Sequence, residues 1–173
     1  YKPAVAPAGA STPFFGTNPV SFAWPRPNND PFVFDMATST LAMGDVQIAA
    51  RDGHEVPHGT GLGPDGKPSD DPAEILKGVL LPFGGYKGSA IALMIELLSA
   101  GMTGDNFSFE AGKTDNNDGG PAKGGEFILA INPQLVAGDN WSEHCEEFFR
   151  RIKAIEGVRL SLIHISEPTR RYF

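Results

Sequence analysis

Short apolar runs, separated by polar loops rich in glycine and proline, predict that strands and helices alternate along this chain. Three runs have the length and the aromatic or β-branched content of strands: Val20–Trp24, Phe32–Phe34 and Glu126–Asn132. Helical stretches are predicted to end near Arg51, to extend from about Ser89 to Ala100, and to cover Trp141–Ile155 with Ser142 as its cap. Pro72–Lys77 is predicted to form one or two helical turns. The pattern therefore predicts an α/β fold.

The first predicted helix carries a carboxylate on its apolar side. We expect Thr38, Ser39 or Thr40 to cap this helix. At roughly 100° per residue, Asp45 falls among apolar neighbours. These are Leu41, Ala42, Val46, Ile48 and Ala49. A buried carboxylate is costly without a partner. In one interpretation, Asp45 is a cap, a salt-bridge partner of Arg51 or Lys87, or a residue on an exposed face. In the other, Asp45 is a buried group that orients a catalytic side chain.

Two turns and one further acid carry candidate chemistry. The hydroxyl of Thr17, in the turn Gly16–Pro19, either bonds nearby backbone or faces a ligand. The glycine-rich loop Pro82–Gly88 either places free amides at a helix N-terminus or lets the following helix pack closely. This loop matches neither GxGxxG nor the P-loop pattern. We expect Glu96, the only charge in that helix, to close a buried polar contact.

Other candidate residues have plainer interpretations. His54 and His58 are four residues apart, but Pro57 and Gly59 exclude the helix that would bring them together, so we expect no metal site. Cys145 is predicted to be a small core residue rather than a nucleophile. It shares the inner stripe of the last helix with Phe148, Phe149 and Ile152.

Composition narrows the class of protein. The 173 residues suffice for one domain with a sizeable core, and a net charge of −7 argues against nucleic-acid and anionic-membrane partners. One cysteine excludes an intrachain disulfide and is typical of a reducing compartment, so we expect a cytoplasmic protein. No apolar run approaches membrane-spanning length. The first residue is Tyr1 rather than Met, and we expect a fragment of a longer protein.

Five segments together resemble the malate/L-lactate dehydrogenase family of the non-Rossmann type. In order they read GTNP, FDMATSTLAMGDVQIAAR, DGKPSDDP, LLPFGGYKGSAIALMIELL and FILAINP. The resemblance runs from about Ala6 to Leu160. It implies an NAD(P)-dependent oxidoreductase of 2-hydroxy or 2-imino acids, with a three-layer α/β fold around a mixed sheet, that is a homodimer when complete. The MGDVQ form of the helix most resembles the reductases of piperideine-2-carboxylate and pyrroline-2-carboxylate.

This resemblance also implies roles for individual residues. Asp45 would form a relay with a serine and a histidine, and the imidazole would deliver a proton while NADP(H) or NAD(H) delivers hydride to the C=N carbon. The positions that match substrate contacts are Thr17, Met43 and Gly44. The positions that match cofactor contacts are Asp35, Met36, Ala37, Gly85, Tyr86 and Lys87.

The chain departs from the family pattern at both ends. The N-terminal region with the serine and histidine is missing, so residues 1–160 are predicted to be an incomplete cofactor-binding domain that is inactive alone. Ser161–Phe173 resembles the conceptual translation of a sequencing adapter, and we expect it to be disordered or to pack without partners, with Ile163 and Ile165 not buried. The alternative functions are a dehydrogenase of malate or lactate type, and a non-catalytic fragment or binding module that retains the fold.

Overall fold

The computed structural model describes residues 2–114 and 124–158, and this part of the chain divides into two units. The first unit extends to Val20 and resumes from Met36 to Ile128, while the second contains Ser21–Asp35 and continues from Leu129. Both units contain helices, and short strands accompany them, which confirms the predicted mixed α/β class. The predictions made for the C-terminal tail, including Ile163 and Ile165, fall outside the described residues.

Five strands and six α-helices are present in the described residues. The strands are β1 (Val20–Trp24), β2 (Phe32–Met36), β3 (Gly61–Leu62), β4 (Pro68–Ser69) and β5 (Val79–Leu80). The helices are α1 (Met43–Asp52), α2 (Pro72–Lys77), α3 (Tyr86–Glu96), α4 (Ser108–Thr114), α5 (Pro133–Ala137) and α6 (Trp141–Lys153). A π-helical turn, Leu97–Gly101, continues α3. Strands β1 and β2 pair in one sheet, and β3 lies between β4 and β5 in an antiparallel second sheet.

The first unit has a compact apolar core between its helices and its small sheet. Val5 and Leu80 are at most 1% exposed, and the amide of Val5 donates to the carbonyl of Phe15. The buried members of this core are Val5, Phe15, Val46, Val56, Ile75, Leu80 and Ala92. Helix α2 begins where predicted because Asp71 accepts a hydrogen bond from the amide of Ala73 and Pro72 fills the first helical position.

Aromatic rings hold the second unit together. Phe22 stacks on Phe34, and Phe32 packs against Phe149 of α6. The guanidinium of Arg26 lies 4.5 Å from the centroid of the Phe149 ring. The prediction that Phe148 shares this inner stripe is wrong, because its side chain is 59% exposed while Phe149 is buried. Adjacent helical residues point about 100° apart, so only one of the two can face the sheet.

The predicted strand over Glu126–Asn132 is not formed. No described residue pairs with this segment, and Ile128, Leu129 and Ile131 are 84%, 70% and 65% exposed. Its composition suits a sheet, but a strand is defined by hydrogen bonds to a neighbour, which composition does not supply.

Two other expectations about helices are corrected. The N-cap of α1 is Ala42 and not one of the residues predicted to cap it. The N-cap of α6 is Asn140 and not Ser142. The side chains of Ala42 and Asn140 make no capping hydrogen bond. In the apolar helix α3, Leu93 and Met94 are 49% and 46% exposed within the described part of the chain. None of the helices that the structure describes is both long and apolar enough to cross a bilayer.

Candidate functional site

Three segments of the first unit meet at Thr38, a fully buried residue just beyond the end of β2. Its amide and its hydroxyl both donate to the carbonyl of Thr17, at 2.8 and 3.1 Å. Its own carbonyl accepts a hydrogen bond of 3.1 Å from the amide of Phe83. The next residue, Ser39, forms an isolated antiparallel β-bridge with Pro82. Backbone hydrogen bonds therefore bring the Thr17 turn, the end of β2 and the glycine-rich loop side by side.

The side chain of Thr17 remains available in this arrangement. Thr17 is half-buried, and its hydroxyl makes no hydrogen bond to any described residue. The interpretation in which this hydroxyl bonds nearby backbone is therefore not what the structure shows. Hydrogen bonds to its carbonyl fix the position of the residue, and its hydroxyl has no partner among the described residues.

The three threonine and serine residues predicted to cap α1 are engaged elsewhere. The Thr40 amide donates to Leu81 and its hydroxyl to the carbonyl of Thr60, while the Ser39 hydroxyl donates to the carbonyl of Leu41. Because these hydroxyls donate to carbonyls and do not cap the helix, α1 begins only at Met43. The amides of Met43 and Gly44 donate no backbone hydrogen bond within the described residues. The N-terminus of α1 thus presents free N–H groups and the positive end of the helix dipole.

Asp45 lies in the first turn of α1 and is half-buried rather than fully buried. Its carboxylate has no hydrogen-bond or ion-pair partner among the described residues, and Arg51, one proposed partner, pairs with Asp52 instead. The predicted apolar face is only partly buried: Val46 is buried, whereas Ile48 is 46% exposed. Asp45 therefore borders the core and is open on one side.

The glycine-rich loop fits the interpretation in which it lets the following helix pack closely, because the amides of Gly85, Lys87 and Gly88 donate to backbone carbonyls and are not free. Gly84 and Gly85 have φ values of +56° and +60°, a left-handed region that favours glycine. At Gly88 a Cβ atom would lie 2.1 Å from the carbonyl oxygen of Phe83, so the close packing at this position requires glycine. Tyr86 is 74% exposed at the start of α3.

The predicted cofactor contacts fall on two adjacent stretches of chain. Asp35 and Met36 are exposed at the end of β2, and Ala37 is half-buried immediately before Thr38. Gly85, Tyr86 and Lys87 are exposed and follow Phe83. Through the Thr38–Phe83 hydrogen bond the structure brings Met36 and Ala37 close to this loop, while Asp35 belongs to the second unit.

A buried polar cluster next to Thr17 includes two residues that the sequence did not reveal. Glu96 is 6% exposed and accepts a 2.8 Å hydrogen bond from the Asn18 side-chain amide. Its other oxygen accepts from the Ser108 amide at 3.0 Å, and the Ser108 hydroxyl donates to the oxygen that Asn18 also binds. The prediction that Glu96 closes a buried contact is confirmed. A lone acid in an apolar helix was the signal, but nothing local identified its partners.

Other ionisable groups occupy separate places. Arg26 and Glu146 form a paired salt bridge in the second unit, and hydrogen bonding to Arg26 lowers the pKa of Glu146 below its ordinary value. His58 Nδ1 lies 3.0 Å from Asp70 Oδ1; His58 is exposed and Asp70 is half-buried. In the part of the chain that the structure describes, no three His, Cys, Asp or Glu residues are grouped as metal ligands.

A helix N-terminus with free amides, next to an uncommitted carboxylate and an exposed glycine-rich loop, is the kind of arrangement with which an α/β enzyme holds a small anionic ligand. Comparison with known protein families shows the family to which this chain belongs. The model of the malate/L-lactate dehydrogenase family matches residues 1–165, and the chain belongs to that family, whose members are oxidoreductases. This confirms the resemblance seen in the five sequence segments.

In the aligned part of the named relatives, nearly half of the residues are identical to those of this chain. Delta(1)-pyrroline-2-carboxylate reductase of Ancylobacter novellus is 47% identical over 159 residues, which is 90% of this chain and 47% of the relative. Delta(1)-pyrroline-2-carboxylate/Delta(1)-piperideine-2-carboxylate reductase of Pseudomonas syringae pv. tomato is 46% identical over 157 residues, or 90% of this chain and 46% of the relative. The chain thus spans about half the length of the curated relatives it matches.

Solved structures show the same relationship. The crystal structure of delta1-piperideine-2-carboxylate reductase from Pseudomonas syringae pv. tomato has a TM-score of 0.86 at 46% identity, covering 92% of this chain and 48% of that one. Sulfolactate dehydrogenase from Methanocaldococcus jannaschii has a TM-score of 0.78 at 36% identity, covering 91% of this chain and 45% of that one. The described fold is therefore the fold of one half of these enzymes.

Proposed function

We propose that the protein containing this chain is an NAD(P)H-dependent reductase of cyclic 2-imino acids, such as piperideine-2-carboxylate and pyrroline-2-carboxylate. The names of relatives at 45–47% identity support this choice of substrate. The structural observation that carries the proposal is the Asp45 carboxylate, half-buried on the first turn of α1 without a partner among the described residues.

A carboxylate in this position is suited to orient an imidazole. When it accepts a hydrogen bond from one ring nitrogen, it fixes the tautomer of the ring and stabilises the protonated form. The family resemblance assigns the histidine, and a serine beside it, to a region that precedes the segments found here. Asp45 would then be the member of a Ser-His-Asp relay that this chain contributes, and the imidazole would protonate the imine nitrogen.

The N-terminus of α1 would hold the substrate. The free amides of Met43 and Gly44 can donate to the carboxylate that every 2-imino acid carries, and the helix dipole favours an anion there. The Thr17 hydroxyl supplies a third donor. These groups would bind the acid end of the substrate and place the C=N bond within reach of the relay.

Within the first unit the cofactor would bind along the glycine-rich loop and the end of β2, with contacts from Met36, Ala37, Gly85, Tyr86 and Lys87. The residues present fit such a group: Tyr86 offers an exposed ring for stacking, Lys87 offers a cation for phosphate, and Gly84 and Gly85 keep the loop free of side chains. Bound NADPH or NADH supplies the hydride that reduces the C=N carbon.

The same resemblance supports a fuller architecture than the described residues contain. We propose the three-layer, mixed and non-Rossmann sheet of the family for the complete domain, with residues 1–160 as its cofactor-binding part, and a homodimer as the assembly. The absence of a GxGxxG segment from the sequence is consistent with this fold.

Replacing Asp45 by asparagine tests the relay in the protein expressed from the full native reading frame that contains this sequence. We expect kcat for imine reduction to fall by about 10⁴-fold, because asparagine cannot stabilise the protonated imidazole. The matched control is Asp52→Asn at the other end of α1, where the carboxylate is exposed and pairs only with Arg51. Wild-type kcat in Asp45→Asn would overturn the role of Asp45.

The substrate is tested separately. Rates with both cyclic imines, with malate and with lactate, measured with NADPH and with NADH in turn, distinguish the reductase from a 2-hydroxy acid dehydrogenase. The latter is the competing function, because a sulfolactate dehydrogenase of Chromohalobacter salexigens is also 40% identical over 157 residues. A protein that oxidises malate or lactate faster than it reduces either imine would contradict the proposal.

A further inference from the structure

We infer that Glu96 is a positioning residue for substrate binding, which acts through Asn18 to hold the Thr17 hydroxyl in place. This inference rests on the proposed function only where it assigns Thr17 to the substrate. The coupling itself is a property of the buried cluster described above.

Three hydrogen-bond donors hold the carboxylate of Glu96 in one orientation. The Asn18 amide donates to Oε1 at 2.8 Å, the Ser108 amide donates to Oε2 at 3.0 Å, and the Ser108 hydroxyl donates to Oε1. Three donors converge on two oxygens, an arrangement that suits a carboxylate because it only accepts hydrogen bonds. Glu96 is anchored in the long helix α3, so the carboxylate is a fixed point for the segments that bind it.

Asn18 is the residue that transmits this fixed position. It is 5% exposed, and its φ of +39° is the one positive value among the non-glycine residues described. Its side-chain amide also donates to the Ala92 carbonyl at 3.2 Å, so two acceptors of α3 hold it. An asparagine in the left-handed region is conformationally costly, and these bonds stabilise it.

Thr17 is therefore held from both sides. Its carbonyl accepts from the amide and the hydroxyl of Thr38, and its C-terminal neighbour Asn18 is bonded to Glu96. Its hydroxyl is the part that no described residue binds. A side chain clamped at its backbone and open at its hydroxyl is what a preorganised ligand contact requires.

Hydrogen exchange on the 173-residue chain tests the coupling. In Glu96→Gln one carboxylate oxygen becomes an amide donor that faces another donor, so the turn should loosen. We expect the Thr38 amide, which is bonded to Thr17, to exchange about tenfold faster relative to the Thr40 amide, which is bonded to Leu81. Equal acceleration of the two amides would show that Glu96 only stabilises the fold and would overturn the inference.

A second variant and a matched control ensure that the test does not depend on whether Glu96→Gln folds. Asn18→Gly removes the side-chain link but tolerates the positive φ, and we expect the same selective exchange. The control is Glu110→Gln, which removes the same charge from a residue that bonds only the nearby Phe107 amide. It should leave the exchange ratio of Thr38 to Thr40 unchanged.

Kinetics of the full-length protein link the coupling to substrate. We expect Glu96→Gln to raise KM for the imine about tenfold while kcat changes less than about twofold, because a displaced hydroxyl weakens binding rather than the relay. Unchanged KM in Glu96→Gln, where Thr17→Val does raise KM, would overturn the inference. Thr17→Val then distinguishes the two ideas: if removing the hydroxyl also leaves KM unchanged, the substrate site of the proposed function has failed rather than the coupling.

Discussion

Replacing Gly88 by alanine should destabilise the protein strongly, although the change adds one methyl group to a helix. The new Cβ would lie 2.1 Å from the carbonyl oxygen of Phe83 and 3.0 Å from both its carbonyl carbon and its amide nitrogen. These are backbone atoms, which cannot rotate away. Phe83 would have to retreat by roughly 1.3 Å to reach ordinary van der Waals contact.

The cost can be estimated from what such a retreat breaks. Overpacking by one methyl group in a tight position costs about 1–3 kcal/mol. The retreat also strains two hydrogen bonds, from the Gly88 amide to Phe83 and from the Phe83 amide to Thr38, each worth about 1 kcal/mol. If straining removes about half of the worth of each bond, we expect the free energy of unfolding to fall by about 2–4 kcal/mol in total.

Urea unfolding followed by circular dichroism measures this change, with Gly112→Ala as the matched control. Gly112 lies in α4 and has open space around its Cβ position, so alanine there should stabilise the chain by about 0.5–1 kcal/mol. If Gly88→Ala unfolded within about 0.5 kcal/mol of the wild type, the loop would be more open than the structure shows and the reasoning would be refuted.

Two further predictions concern other parts of the chain. Hydrogen bonding to Arg26 lowers the pKa of Glu146 below 4.5, so the pair stabilises the fold above that pH and its contribution is lost as pH falls through the folded-state value. The stability difference between the wild type and Glu146→Gln should therefore shrink on acidification, whereas Glu143→Gln, at an exposed position of the same helix, should show no such trend. Removing the cap that Asp71 provides to Ala73, with Asp71→Ala, should lower the free energy of unfolding by about 0.5–2 kcal/mol, and an unchanged urea midpoint would contradict the capping role.

Elements with local signals could be predicted from the sequence. Strand Val20–Trp24 and helix Pro72–Lys77 have the predicted bounds, because an apolar aromatic run and an Asp-Pro helix start are short-range features. The start of α1 could not be predicted in this way. Thr38 and Thr40 resemble caps, but they bind Thr17 and Leu81, which are distant in sequence.

The candidate site shows the same limit. The motif resemblance identified Thr17, Asp45 and the glycine-rich loop, and the lone acid in an apolar helix indicated a buried contact. The partner of that acid, Asn18, is 78 positions away in sequence, and only the fold brings the two together. Residue types reveal that a buried charge needs a partner, but they do not say which of many polar residues provides it.

The distribution of buried polar residues supports placing the site at Thr17. In the described structure the buried polar or charged residues are Asn18, Thr38, Ser39, Thr60, Glu96 and Ser108. Three of them form the cluster behind the Thr17 turn; Thr38 and Ser39 lie between β2 and α1, and Thr60 lies just before β3 and accepts from the Leu81 amide. A core needs no such groups for stability, since burying them gains little even when every bond is made. Directional hydrogen bonds fix geometry more sharply than apolar packing, and here three of the six buried polar residues described form a cluster at the turn that carries Thr17.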